Sequence, residues 1–509
     1  SKRLGILRFQ HNREPVMPSA ETPTQQSAEL PKVLGPVEAL CVIVGSVIGS
    51  GIFLVPATVA RHIPYMGMIV VVWVVGGIIS AAGALTLSEL ASMLPRAGGP
   101  YVYLRAAYGA LPAFLFGWCE FLVVRAGSMA TLAAAFARYF AQVVPAPSGL
   151  HPLLWQMFAA VAAMVTVTFV NVIGTSVGGR VQVVGTVLKV GALVTMITLP
   201  FALGQAHVGR LSPGWPAFLS PDLVKGFMAA LVGVLWAYDG WVNLSELSEE
   251  IRDPGRNLPR ALILGTAVLI ALYVGMTIVY HMVLPMEEIR AASTEKGSES
   301  AVAADFCKHL VGSAGVFAIS LVVMCSTFIS LNGNALAGPR AYFAMARDRL
   351  FFGWLCRVHP RFRTPANAVL AQAAWAILLT IAGTALVLSP PPSEGSALPR
   401  PLLAAWTKLN QTPLYDVLYT YVIFGATIFY TLAIASVFVL RARQPDLPRP
   451  YRTWGYPITP LVYIGAAVIL MGSMLLQNPF ESLSGLILIA LGVPAYWSFA
   501  RRLGGAQRA

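Results

Sequence analysis

From residue 38 onward the chain consists of apolar runs of about 20 residues or more, separated by short polar connections. The runs lie near 38–60, 67–94, 112–140, 153–171, 182–204, 222–247, 261–284, 314–341, 367–389, 414–440, 456–477 and 481–500. Each is long enough, as a helix, to cross the hydrocarbon layer of a bilayer. The pattern predicts an all-α integral membrane protein with twelve transmembrane helices, spans 1 to 12 in chain order. The short connections leave no room for an appended soluble domain.

Two spans are interrupted. VGSVIGSGIF (44–53), in span 1, carries Gly45, Gly49 and Gly51, and each glycine costs roughly 1 kcal/mol in a helix interior. Close helix packing accounts for the G-x-x-x-G pair Gly45 and Gly49. It does not account for Ser50 and Gly51, where a residue that favours helix N-caps stands between two glycines. LWAYDGWVN (235–243), in span 6, places Asp239 and Gly240 inside the membrane. An unpaired carboxylate there costs roughly 3 kcal/mol or more. Five is an odd number of crossings, so spans 1–5 and 6–10 run in opposite senses, and the breaks occupy corresponding positions of two inverted halves. Such a pair of interruptions points to a transporter binding site. Spans 11 and 12 fall outside the repeat.

The breaks free backbone groups for a ligand. N–H groups around Ser50, Gly51 and Ile52 open the second half of span 1, a positive dipole end suited to a carboxylate. Carbonyls near Val47, Ile48, Trp236 and Ala237 close the first half-helices and are expected to be unpaired acceptors for an ammonium group. A molecule with both groups on one carbon is an α-amino acid. Gly49, Tyr238, Asp239 and Gly240 complete the candidate substrate-binding positions.

Composition adds limits. The 509 residues are 57% hydrophobic and 11% charged, which makes the lipid bilayer the solvent. The net charge of +13 comes from 35 Lys and Arg, most of them in the tails and in the connections on one side. That bias assigns both termini to the cytoplasm and makes the charge a mark of topology, with no nucleic acid partner. A bacterial inner membrane or a plasma membrane is the expected location. Residues 1–34 read as a flexible cytoplasmic tail without the apolar core of a signal peptide. The transporter core is expected over 35–445, with repeats at about 35–204 and 222–440, followed by spans 11 and 12 (446–500) and a cytoplasmic tail (501–509). Cys41, Cys119, Cys307, Cys325 and Cys356 show no paired spacing. Gly174 to Gly178 spell the G-x-S-x-G of hydrolases, but here they join two membrane helices. No P-loop and no metal-ligand cluster are present, so neither an enzyme, an ATP-driven pump nor a cofactor is expected.

GSVIGSGIF (45–53), PRAGGPYVYLRAAYG (95–109), WAYDGW (236–241) and EEIRDPGRNLPRA (249–261) resemble the amino acid–polyamine–organocation superfamily. Within it, the chain is similar to the L-type, glycoprotein-associated amino acid transporters and their bacterial homologues, from about residue 35 to 445. The resemblance implies a LeuT-like fold and amino acid transport by alternating access. It implies that Ser50 and Gly51 bind the substrate carboxylate, that backbone atoms of Val47, Trp236 and Asp239 receive the amine, and that the Trp236 ring gates the site. Animal relatives carry a cysteine between spans 3 and 4 that bonds to a partner glycoprotein. VVPAPSGLHP (143–152) has none, so no disulfide-linked heavy chain is expected.

Charged and polar residues inside the spans sharpen these expectations. Lys189 lies about 11 Å or more from either interface of span 5, beyond easy snorkelling. The resemblance implies that it replaces a sodium ion, bridging the unwound part of span 1 to hydroxyls of span 8, with Ser326 and Thr327 as candidates. A fixed charge there predicts sodium-independent exchange. A desolvated lysine also sheds its proton readily, so a proton-coupled importer of amino acids or polyamines is the alternative. A receptor or channel is the alternative of another class. Asp239 is either the cap of the second half of span 6 or an attractor for cationic side chains. Arg125 in span 3 is expected to pair with an acid such as Glu120, or to line the pathway. Asn332 and Asn334 on span 8 line the pathway or tie helices together. Glu89 is placed in a gate network with loop arginines.

Overall fold

A computed structural model describes residues 29–292, 302–389, 414–477 and 479–506. Most of the expected N-terminal tail lies outside these residues, as do the connection 390–413 and residues 507–509. Among the described residues the architecture is helical throughout, apart from one isolated bridge between Leu34 and Ile251. Among the described residues ten helices are long and apolar enough to cross a membrane, and eleven spans result when the bent pair Pro36–Val47 and Gly51–His62 is counted as one. The remaining span of the expected twelve is the sixth. Its first part, Pro221–Ala237, has 17 residues, and the helix resumes only as the single turn Asn243–Glu246.

Both interruptions form where the glycines and polar residues announced them. Half-helix 1a (Pro36–Val47) and half-helix 1b (Gly51–His62) meet at 40° across Ile48–Ser50. Half-helix 6a (Pro221–Ala237) ends in turns that carry the chain to half-helix 6b (Asn243–Glu246). Gly240 sits at φ +114°, a backbone conformation that side-chain-bearing residues rarely adopt, and a Cβ there would press on Ser46 and Val47. Breaks of this kind occur at membrane depth where the freed backbone is enclosed by protein.

The helices around the breaks pair in a regular way. Span 2 (Met66–Met93) packs along span 7 (Pro254–Val283), and span 3 (Ala110–Val143) along span 8 (Ser313–Arg347). Span 4 (Pro152–Ile173) lies on span 9 (Ala366–Leu388), and half-helix 1b on 6a. Each partner is five spans further along the chain. Span 3 is central, with 72% of its apolar window buried, whereas span 12 buries 11% and turns its side chains outward. Spans 4 and 5 (Thr175–Ala202) expose Phe158, Phe169, Val184, Val187 and Leu188, as a lipid-facing surface requires.

Three boundaries differ from the sequence reading. Residues 29–34 are docked: Leu30 and Leu34 are buried, and the Leu34 backbone pairs with Glu250 and Arg252. The last helix, Gly492–Ala506, continues into the segment expected as a tail. Span 3 contains a π-helical turn, Glu120–Val124, immediately before Arg125. Such bulges widen a helix locally and often mark functional positions.

Candidate functional site

The two breaks face each other across a shared cavity. Val47, Gly49, Ser50, Gly51, Trp236, Ala237, Asp239, Gly240, Arg125 and Asn334 all line it. Ten positions singled out in four separate stretches of sequence thus converge on one space. Half-helix 1b begins at Gly51 with Ser50 in the cap position, and its first backward bonds run from Phe53 and Leu54 to the Ser50 carbonyl. The N–H groups of Gly51 and Ile52 precede that point and have no intrahelical acceptor. Gly51 is also where 1b touches 6a: a Cβ would come within 2.7 Å of the Ala237 Cα.

The carbonyls at the breaks are not unpaired, which corrects the expectation. Side chains from spans 5, 7 and 8 already hold them. Lys189 is buried, and its Nζ donates to the carbonyls of Gly45 at 2.7 Å and Ile48 at 2.5 Å, and to Ser330 Oγ at 2.9 Å. Ser330 in turn donates to the carbonyls of Ile48 and Gly45, at 3.0 and 3.2 Å. Ser326 Oγ reaches the Ile48 carbonyl at 2.9 Å. Tyr273 Oη bridges the breaks, standing 3.0 Å from the Val47 carbonyl and 3.1 Å from the Ala237 carbonyl. The Trp236 carbonyl accepts from the Asp239 N–H at 3.1 Å. A carbonyl oxygen has two lone pairs, and the Ala237 carbonyl, with Tyr273 as its donor, keeps one further acceptor position.

The bridge from span 5 to span 8 therefore exists, with one change of residue. Ser326 and Ser330 supply the hydroxyls, while Thr327 Oγ1 bonds back to the Val323 and Met324 carbonyls of its own helix. One helical turn separates Ser326 from Ser330, which puts both on the face turned to span 1. Periodicity was the signal that could have found Ser330. Tyr273 had none, being an aromatic residue in an apolar span. Ser46, Ser128, Asn243 and Tyr430 also line the cavity and were missed. Ser46 and Asn243 flank the breaks closely enough to have been included.

Arg125 is buried and gathers three partners: Glu120 Oε2 at 2.6 Å, Glu246 Oε1 at 2.5 Å and Asn243 Oδ1 at 2.5 Å. It pairs with Glu120, as expected, and also ties span 3 to 6b. Asp239 is not a cap, because the helix resumes at Asn243 with Val242 in the cap position and no side-chain cap bond. Besides Lys189, Ser326 and Thr327, five candidates stand away from the cavity lining: Ile48, Ile52, Tyr238, Asn332 and Glu89. Ile48 and Ile52 are fully buried beside it. Tyr238 meets Trp73 edge to face and lies tilted against Tyr273. Asn332 ties span 8 to Asn171 of span 4 and to Gln182 and Gly178 of span 5. It therefore holds helices together.

The end of the molecule that carries residue 29 is closed by a separate network. Glu249 accepts from the N–H groups of Leu30 and Ala97 and from Arg347. Glu250 receives Arg340 through Nε at 2.7 Å and Nη2 at 3.2 Å. Tyr101 donates to Asp348 Oδ2 at 2.8 Å. Burial lifts the Tyr101 hydroxyl above its ordinary pKa, against the opposing pull of Arg105 and Arg347, so it remains a donor. Glu89, at the end of span 2, is held by Arg441 and by the N–H and hydroxyl of Thr453. It lies outside the cavity lining.

The profile of a family described as "Amino acid permease" matches residues 34–491. The chain is 30% identical over 475 residues to the serine/threonine exchanger SteT of Bacillus subtilis (strain 168), covering 93% of this chain and 98% of that one. It is 29% identical over 490 residues to the b(0,+)-type amino acid transporter 1 of Mus musculus, covering 95% and 91%. To the cystine/glutamate transporter of Homo sapiens it is 26% identical over 491 residues, covering 96% and 89%.

Proposed function

The chain belongs to the amino acid permease family, and on that premise we propose that it is a sodium-independent exchanger of neutral and cationic L-amino acids working by alternating access. Membership makes it a multi-pass membrane transporter and not an enzyme. The observation that carries the finer reading is the Lys189 ammonium, seated on the Gly45 and Ile48 carbonyls and on Ser330. An ammonium at the unwound segment of span 1 does there what a bound sodium ion does elsewhere: it satisfies the freed carbonyls. The named activity of the bacterial relative, serine/threonine exchange, supports small neutral substrates.

Substrate is assigned to the cavity between the breaks. Its carboxylate meets the N–H groups opening half-helix 1b at Ser50, Gly51 and Ile52. Its ammonium meets the remaining lone pair of the Ala237 carbonyl and the acidic side at Asp239. The packing of spans 1b, 2, 3 and 4 on 6a, 7, 8 and 9 supports two inverted five-helix repeats, about 35–204 and 222–440, within a core of 35–445. Spans 11 and 12 complete the twelve. The Lys and Arg bias supports a cell inner membrane location with both termini cytoplasmic, which makes the network at Glu249, Glu250 and Glu89 the inner closure. The connection 143–152 offers no cysteine, which supports function without a disulfide-linked heavy chain.

One observation favours a second reading, the proton-coupled importer: the three acceptors of the Lys189 ammonium are all neutral. Labelled serine uptake into sodium-free proteoliposomes at equal pH separates the two. Uptake only into vesicles preloaded with amino acid is the expected result. Uptake into empty vesicles, driven by an inward proton gradient, would replace exchange with proton coupling.

A further inference from the structure

The connection between spans 8 and 9, residues 348–365, lies at the end of the molecule that carries residue 29. Its charge has no counterweight. Arg349, Arg357, Arg361 and Arg363 are all exposed, and no Asp or Glu occurs from 349 to 388. Arg501 is exposed at the end of span 12, where the chain has no acid after Glu481. Asp348, the nearest carboxylate along the chain, is taken by Tyr101 and Arg105. Among the described residues no ion pair engages any of the five arginines.

The connection is also held in place. Phe351 and Leu355 are buried, Thr364 Oγ1 donates to the Val172 carbonyl of span 4 at 2.8 Å, and Asn367 Nδ2 donates to the Trp354 carbonyl at 2.7 Å. His359 Nδ1 accepts from the N–H groups of Arg361 and Phe362, at 3.3 and 3.2 Å. Charges fixed in this way bind with less ordering cost than charges on a loose tail. Arg349 and Arg363 stand at φ +60° and +54°, a conformation that side chains disfavour, and among the described residues only Asp253 shares it outside glycine. Aromatic rings interleave with the arginines. Phe352 and Trp354 are each 46% exposed, and Phe352 meets Phe499 of span 12 edge to face at 5.1 Å. Trp497 is exposed on that helix, and Arg501, one turn further, shares its face. Exposed tryptophans at span ends lie at the headgroup level of a bilayer. The basic connection 252–260 at the same end differs: Arg252, Arg256 and Arg260 surround Asp253, and the segment has no aromatic residue. The general bias of Lys and Arg accounts for that segment and leaves the unbalanced, aromatic surface at 349–363 unexplained.

We propose that this surface, the 349–363 connection together with the end of span 12, binds the headgroup of an anionic phospholipid in the adjoining leaflet. Arg357, Arg361 and Arg363 grip the phosphate, for which the guanidinium fork is suited. Trp354 and Phe352 lie against the upper part of the acyl chains. A free phosphate ion would leave that apolar area uncovered, so the occupant is a lipid of the bilayer. The proposal stands apart from the transport reading, since it uses none of the residues that line the substrate cavity.

The test titrates the purified full chain in neutral detergent with dioleoylphosphatidylglycerol, and in parallel with dioleoylphosphatidylcholine, while native mass spectrometry counts the lipids retained. Saturable retention of phosphatidylglycerol, weakened by salt, is expected, with little retention of phosphatidylcholine. The triple variant Arg357→Gln, Arg361→Gln, Arg363→Gln is expected to lose about a hundredfold in affinity, and each single variant about fivefold. The double variant Arg256→Gln, Arg260→Gln removes charge from the same end and is expected to bind as the wild type does. An unchanged unfolding temperature in lipid-free detergent shows that the triple variant is folded; if it is not, the single variants carry the test. Equal retention of the two lipids, or an equal loss in the 256/260 variant, would overturn the proposal. So would displacement of phosphatidylglycerol by inorganic phosphate at equal concentration, which would make the surface a site for a free anion.

Discussion

In span 1 the break is short, Ile48–Ser50, and the side chains that reach it are Lys189, Ser326 and Ser330, one cation and two hydroxyls. In span 6 the chain stays non-helical from Tyr238 to Val242, and the charged groups around it are Asp239, Glu246 and Glu120 with a single Arg125. The same structural device, a helix opened at membrane depth, is therefore filled with positive charge on one side of the cavity and with excess negative charge on the other. The first break is tightly satisfied, with three side-chain donors on the Ile48 carbonyl. The second is satisfied through Tyr273 and Arg125 and retains unused acceptors. On the proposed reading, a zwitterion between them would turn its carboxylate toward span 1 and its ammonium toward span 6. Charge asymmetry, more than the presence of two breaks, gives the site its direction.

That contrast can be broken at graded cost. Gly51→Val should act most severely, since its Cβ would meet Ala237 backbone at 2.7 Å where half-helices 1b and 6a touch. Exchange in proteoliposomes should vanish in this variant; measurable uptake would mean that 1b and 6a part without consequence. Arg125→Gln removes the one cation from the acidic side. It should destabilise the protein by about 3 kcal/mol or more, read by thermal unfolding in detergent, because two buried carboxylates lose their partner. Lys189→Ala removes the cation from the other side while leaving no buried acid stranded. It should fold, and lose exchange by about a hundredfold from the charged hydrogen bonds forfeited. Normal turnover in this variant would reduce Lys189 to packing. Ser330→Ala should slow exchange about fivefold, a single hydrogen-bond effect, whereas Thr327→Val should leave exchange unchanged. Equal losses in these two would contradict the assignment of the bridging hydroxyl.

Glycine and polar residues made the breaks legible because they are expensive in apolar helices, and each expensive residue needs a local reason. Lys189 and Arg125 were legible on the same ground. What the sequence concealed were partners chosen by three-dimensional proximity. Ser330 was overlooked beside Ser326 because helix phase on span 8 was not fixed until span 5 was placed against it. Tyr273 gave no signal, since a tyrosine in a membrane span is ordinary until its hydroxyl is seen between two carbonyls. The breaks also suggested vacant carbonyls, and that inference failed for a general reason. Backbone groups at membrane depth are expensive to leave open even while awaiting a ligand, so the fold occupies them with its own side chains. Asp239 illustrates the remaining limit. Its identity left capping and attraction of a cationic side chain equally open, and the helix resumes at Asn243 with Val242, not Asp239, in the cap position.

The Tyr273 hydroxyl has one hydrogen and stands at bonding distance from two carbonyls, Val47 at 3.0 Å and Ala237 at 3.1 Å. One hydrogen serves one acceptor well at a time, and the Ala237 acceptor lies on the half-helix that touches 1b. The phenol is thus a rotor with two rest positions, one on each half of the molecule. A small change in the relative reach of the two carbonyls selects between them. The side chain that joins the two breaks also registers, in the orientation of a single O–H bond, which of them is drawn closer.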